Sequence, residues 1–213
     1  MRPPALLLVF VLSAAGASLA AQLTLTPSEI EEAVRLGQTR IAADRARFHT
    51  PYRALVTQAP VDFVDVVTPF RRVVIAADER ARLGDRSFGQ RQAIEMLNAA
   101  HGQFDFVVEL TFHPLNTFVT MPEYGVAVIR DGVRITPAVD RRPRFGARLD
   151  DLPPSVPTPA GRIPNRGSQP MLGGTLVAQV DGQALDRAGD IAVVVTDGAK
   201  ELARAHIDLR SLR

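Results

Sequence analysis

The sequence predicts an α+β fold: an N-terminal helical region followed by an antiparallel β-sandwich. Three observations predict it. Apolar residues recur at three- and four-residue steps through much of the first hundred positions. From Phe106 they alternate every second residue. Three Asp-Gly pairs, at Asp131, Asp181 and Asp197, then punctuate alternating stretches.

The first element is not part of the fold. Met1 and Arg2 give a short positive start, Ala5 to Leu12 is unbroken apolar sequence, and Ser13 to Ala20 shifts to small residues. Ser18-Leu19-Ala20 sets small side chains three residues and one residue before a cut, so residues 1–20 read as a signal peptide cleaved before Ala21. The apolar stretch is roughly 16 residues, short of the ~20 that a spanning helix needs. Removing 20 of the 213 residues leaves 193, enough for one domain or two small ones. No later segment is apolar and long enough to span a membrane. The chain has no cysteine, which excludes disulfides and lipidation at cysteine and leaves stability to an apolar core.

Residues 21–102 read as mainly helical, with a strand pair between the two capped helices. Thr26-Pro27-Ser28-Glu29 is a capping box with proline at the first helical position, and Ile30, Ala33 and Val34 follow on one face until Gly37. Thr68-Pro69 repeats the start, with Phe70, Val73, Val74, Ala77 and Ala81 on one face until Gly84. A third helix spans about Gly89 to Ala100. Tyr52 to Thr57 and Val61 to Val67 are valine-rich and bounded by prolines, which predicts strands.

Residues 103–213 read as the sandwich. Phe106, Val108, Leu110 and Phe112 alternate with Val107, Glu109, Thr111 and His113, the period of a half-buried strand. Val126 to Arg130 and Val133 to Thr136 flank Asp131-Gly132, a pair suited to the positive φ angles of a tight hairpin. Residues 141–170 hold seven prolines and six arginines without apolar periodicity and read as a linker or long loop. Beyond it come Thr175 to Val180, Ile191 to Thr196 and Glu201 to Leu209, with Asp-Gly pairs read as turns between them. The later half is similar in outline to the small immunoglobulin-like sandwiches of exported bacterial proteins, a likeness of architecture that no signature residue carries.

A pI near 9.6 suggests nucleic acid, but the net charge is only +2 and the basic groups are almost all arginine, Lys200 being the one lysine. With no basic helix and no aromatic residues interleaved with charge, a nucleic-acid partner is excluded. His49, His101, His113 and His206 lack the short spacings of metal ligands. Glu109 and His113 are about 13 Å apart along a strand, too far for an acid–base pair. Asp62 and Asp65 fall on opposite strand faces. Ser87, Ser155, Ser168 and Ser211 have no nucleophile-elbow surroundings, and Gly173-Gly174 lacks the lysine of a phosphate loop. No catalytic, cofactor or metal residue is assigned. The retained feature is Arg141, Arg142, Arg144 and Arg148, four guanidinium forks within eight residues that could hold an anionic partner.

These readings favour an exported non-catalytic binding or assembly module, periplasmic or extracellular, that presents a sandwich surface to a protein or an anionic envelope component. The alternative is a hydrolase of envelope or extracellular polymers whose groups converge from distant positions. Histidines gathered with carboxylates in one cleft would favour the enzyme, and scattered histidines the module.

Overall fold

A computed structural model describes residues 24–146, 171–185 and 189–213. The cleavage site at Ala20 lies outside them. The N-terminal region opens with α1 (Pro27–Gly37), whose cap forms as the sequence predicts: the Glu29 amide donates to Thr26 Oγ1 at 3.3 Å, and the Thr26 amide donates to the Glu29 carboxylate at 2.7 Å. A helix not foreseen follows, α2 (Ala42–His49), and a 3-10 turn over Thr50–Tyr52 leads into β1 (Arg53–Leu55) and β2 (Val61–Val67). Then come α3 (Pro69–Arg82), capped by the Thr68 hydroxyl on the Arg71 amide at 3.2 Å, and α4 (Gln90–Ala100).

Gly37 was expected to stop α1 by conformation. It ends the helix, yet its role is packing: a Cβ there would stand 2.4 Å from the Val74 carbonyl and 2.6 Å from Ala77 Cβ, so α1 crosses α3 at a distance only glycine permits. Ile30, Ala33 and Val34 of α1 thereby meet Phe70, Val73, Val74 and Ala77 of α3, with Phe88 and Ala93 closing a helical core.

The remaining elements are β3 (Gln103–Thr111), β4 (Gly125–Arg130), β5 (Val133–Ile135), β6 (Val139–Phe145), β7 (Met171–Asp181), α5 (Gly182–Leu185), β8 (Asp190–Asp197) and β9 (Lys200–Asp208). They form two antiparallel sheets ordered β1-β2-β3-β7-β6 and β5-β4-β8-β9. The early strand pair is therefore part of the first sheet, since β2 pairs along β3. Alternation does what the sequence predicts: Phe104, Phe106, Val108 and Leu110 point inward and are 2% exposed or less, while Asp105, Glu109 and Thr111 lie on the opposite face. Inward side chains of both sheets, among them Val64, Leu176, Val128, Val193 and Ala205, share one hydrophobic core. Each large side chain in it contributes about 1.5–3 kcal/mol by leaving water.

Two expectations need correction. Residues 141–145 are not linker. They belong to β6, which pairs with β7 from Val139↔Ala178 to Phe145↔Met171 as the outer strand of its sheet. Residues 147–170, including Arg148, lie outside the described residues. Asp181-Gly182 is not a hairpin turn either, because Asp181 Oδ1 accepts the Gln183 amide at 2.9 Å and starts the single-turn α5. The other two pairs do turn hairpins. Asp131 (φ 47°) and Gly132 (φ 80°) both adopt the left-handed region, as a type I′ turn requires, whereas in the β8–β9 turn only Gly198 does (φ 57°). Gly132→Val and Gly198→Val should each destabilise by about 1–2 kcal/mol in urea unfolding, while Ala199→Val, at negative φ in the second turn, should change the midpoint little.

Candidate functional site

Where the helical layer meets the first sheet, five charged or aromatic side chains from successive elements converge: His49, Tyr52, Arg53, Asp65 and Arg71. The pleat of β2 sends Val64 and Val66 into the core and Asp65 to the other face. Register places Arg53 of β1 opposite Asp65, and its guanidinium grips the carboxylate through Nε at 2.9 Å and Nη2 at 2.8 Å while stacking 3.7 Å over the Phe63 ring. The chain turns at Thr68 into α3, which brings Arg71 back over the strand it has just left. Its Nη2 donates to Asp65 at 3.2 Å, Nη1 to the Val66 carbonyl at 2.6 Å and Nε to His49 Nδ1 at 3.3 Å, with the guanidinium 4.9 Å from the Tyr52 ring. The Arg71 side chain is only 5% exposed.

Such burial lowers the pKa of Arg71 and raises that of the Tyr52 hydroxyl; Asp65 opposes the first effect, and hydrogen bonding to Arg213 opposes the second. Burial, and next the Arg71 charge, push the His49 imidazole below its ordinary value. Neutral His49 has one ring nitrogen to accept with, and Arg71 occupies it, so the ring is a poor general base and keeps Nε2–H as a donor. Beside this network opens a cleft of about 530 Å³ with Ala46, Leu55 and Ile75 on its apolar side and His49, Thr50, Arg53 and Arg71 on its polar side. Asp65 carries one negative charge against the two positive charges of Arg53 and Arg71, which leaves the cleft wall at +1.

A second cleft of about 520 Å³ lies between α1, α4 and the ends of β3 and β7. It is lined by Ile94, Leu97, Asn98, His101 and Arg72, whose Nη1 pairs with Asp105 at 2.9 Å and whose buried Nε has no hydrogen-bond partner among the described residues.

The other residues singled out in the sequence stand apart. His101 caps α4 in the left-handed conformation at φ 50°. His113 sits in an exposed turn with Nδ1 accepting the Leu115 amide at 3.1 Å, while Glu109 pairs with Arg144 at 3.0 Å. His206 lies exposed on β9 opposite Ala192. Asp62 accepts from the Thr111 hydroxyl at 2.7 Å and shares no partner with Asp65. Among the described residues no three His, Asp or Glu side chains gather to hold a metal ion. Ser87 donates to Asp85 and Ser211 to the Asp208 carbonyl; Ser155 and Ser168 lie outside the described residues. Gly173 and Gly174 are strand positions in β7, where a Cβ would stand 2.0 Å from the Leu110 carbonyl and 2.7 Å from that of Arg142 respectively. Within the arginine cluster, Arg141 Nη2 donates to the Tyr124 carbonyl at 2.9 Å, Arg142 pairs with Asp140 at 2.8 Å and Arg144 with Glu109. The sequence pattern pointed to Asp65 only as half of a rejected carboxylate pair with Asp62 and did not point to Arg53 or Arg71; the available signals were a carboxylate on the non-core face of β2 and an arginine one turn inside the Thr68 cap.

No protein-family model, no curated protein and no solved structure matches the chain.

Removing one partner from a buried ion pair strands the other, so Asp65→Ala should cost about 3–5 kcal/mol in urea unfolding, and Arg71→Met less than Asp65→Ala because Arg53 still pairs with the carboxylate. His49 makes a second prediction. Because its native pKa lies below the ordinary 6.5, the unfolded chain binds the proton first as pH falls. Stability is therefore full above about 6.5 and declines as pH drops from there through the lowered native value. His49→Asn keeps an acceptor near Nδ1 without a titrating ring and should flatten this part of the stability–pH curve.

Proposed function

We propose that the chain is an exported, non-catalytic binding or assembly module, its two sheets forming a β-sandwich immunoglobulin-like in outline, that presents one end to a protein or an anionic envelope component in the periplasm or outside the cell. The observation that carries this reading is the end of the first sheet away from the helices. There Leu115, Phe118 and Val119 are 69%, 40% and 89% exposed, and Phe145 and Leu172 flank the same strand ends at 44% each. This is not a frayed loop. Asn116 Nδ2 donates to the carbonyls of His113 at 2.8 Å and Met171 at 3.0 Å, its Oδ1 accepts the Phe118 amide at 3.1 Å, and the Phe118 ring packs edge-on to buried Phe112 at 4.9 Å. Apolar side chains held rigidly in water are characteristic of surfaces that meet a partner.

Arg142 and Arg144 stand on the adjoining edge strand with side chains 66% and 49% exposed, so an anion could exchange with Asp140 or Glu109 there. The hydrolase alternative draws less support, since the histidines are scattered and the His49 acceptor nitrogen is engaged by a guanidinium.

The test has three parts. Mass spectrometry of the exported protein should find a mature start at Ala21, and an intact Met1 in the cytoplasm would overturn the export reading. The double variant Leu115→Ser, Val119→Ser, which keeps the Phe118–Phe112 contact, should melt near the parent yet lose co-sedimentation with envelope material; equal co-sedimentation would remove this end from the proposal. Replacing Arg141, Arg142, Arg144 and Arg148 by glutamine should abolish low-salt retention on an anionic resin, an interaction screened over about 10 Å at 0.1 M salt.

A further inference from the structure

We infer that the cleft between α2, β1 and α3 is a binding site for a small organic monoanion, a carboxylate on a compact aliphatic or aromatic body. It lies at the β1 edge of the sheet, where Arg53 pairs with Asp65, goes beyond the assembly reading and stands independently of it.

Three properties of the cleft define the ligand. Its charge is the first. Asp65 neutralises one of two guanidinium groups, so the wall retains a single positive charge suited to a single negative one. Free donors are the second. Arg53 uses Nε and Nη2 on Asp65, and His49 uses Nδ1 on Arg71, which leaves Arg53 Nη1 and His49 Nε2–H without a protein acceptor among the described residues. Two N–H groups on separate side chains suit the two oxygens of a carboxylate. The apolar wall is the third. Ala46, Ile75 and Leu55 line the same cleft, and Leu55, 80% exposed, is open to pack against the body of a ligand. A volume near 530 Å³ lies within the range of small-molecule sites.

The Arg71 network explains why such a site holds its shape. Arg71, itself on α3, is fixed to α2 through His49 and to β2 through Val66 and Asp65, so the polar wall is oriented before any ligand arrives. The charges facing the His49 ring are Arg71 and Asp78 from α3, Asp65 from β2 and Arg53 from β1, and Asp78 is itself neutralised by Arg45 of α2 at 3.1 Å and Arg82 of α3 at 2.7 Å, so the excess positive charge stays with Arg53 and Arg71. An anion seated among them offsets the two arginines, so the titration midpoint of His49 should rise on saturation.

The experiment is an NMR titration of the mature chain, following the His49 ring protons, with butanoate, hexanoate and octanoate, and with hexanol and inorganic phosphate for comparison. The expected result is saturable binding of the acids that tightens about threefold to fourfold for each added methylene, a rise in the His49 midpoint, and no comparable response to hexanol or phosphate. Leu55→Glu places a negative charge at the mouth from a solvent-exposed position on an edge strand, so it leaves folding intact and should abolish binding. Arg53→Gln, which keeps Asp65 paired with Arg71, should weaken it at least tenfold. Binding of hexanol as tight as hexanoate, phosphate binding without chain-length dependence among the acids, no saturable response, or unchanged affinity in Leu55→Glu would each overturn the proposal. None of these outcomes bears on the exposed loop end, whose own variants test the assembly reading.

Discussion

Burying a carboxylate such as Asp65, 9% exposed, calls for ion-pair partners, and those partners join the elements around it. One is Arg53, across the β1–β2 ladder. The other is Arg71, which reaches Asp65 only because β2 ends at Val67 and α3 turns back immediately. Meeting that requirement fixes the angle between sheet and helix. It also positions α2, since Arg71 has a remaining donor that His49 accepts. The pairings of Asp65 are thus among the contacts that join two layers with distinct apolar cores.

Those cores differ in kind. The sheets bury a continuous set of valine, leucine and phenylalanine side chains, whereas the helices bury a smaller set around the α1–α3 crossing. Phe48 packs against both, and Arg213 adds a polar seam between them. Its carbonyl accepts from the Thr68 and Tyr52 hydroxyls, its guanidinium takes both oxygens of Glu32 at 2.7 Å, and it stacks 4.3 Å from Phe70. Thr68 consequently serves twice, as the cap of α3 and as a donor across the seam, which accounts for its complete burial.

What could be read from the sequence was what neighbouring residues decide among themselves. Thr26 and Thr68 announce helices because capping is settled within four residues, and β3 announces itself because one face is apolar and the other is not. Asp131-Gly132 was legible because both residues must accept positive φ. By contrast α2 buries none of its eight residues, so it carries no apolar stripe to recognise. Asp181-Gly182 has the composition of a hairpin turn, but the Asp181 side chain caps a helix instead. Strand β6 has solvent on one edge and arginine at three of seven positions, and an outer strand so exposed has no alternation to separate it from a loop. The Arg71 cluster was illegible for a different reason: its members come from α2, the following turn, β1, β2 and α3, and only the folded chain brings them together.

Strand β6 has a further consequence. The outer strand of any sheet offers unpaired backbone groups to which another chain can add a strand, and sheets that expose such an edge tend to grow into aggregates. Here that edge carries Pro143, which has no amide hydrogen to offer an incoming strand, between Arg142 and Arg144, whose like charges would oppose the same residues of a second copy. At the other end of the sheet β1 is three residues long, too short to template much. The composition that resembles a linker therefore closes one border of the sheet, the short β1 limits the other, and together they favour side-chain surfaces over strand addition along this sheet for any meeting with a partner.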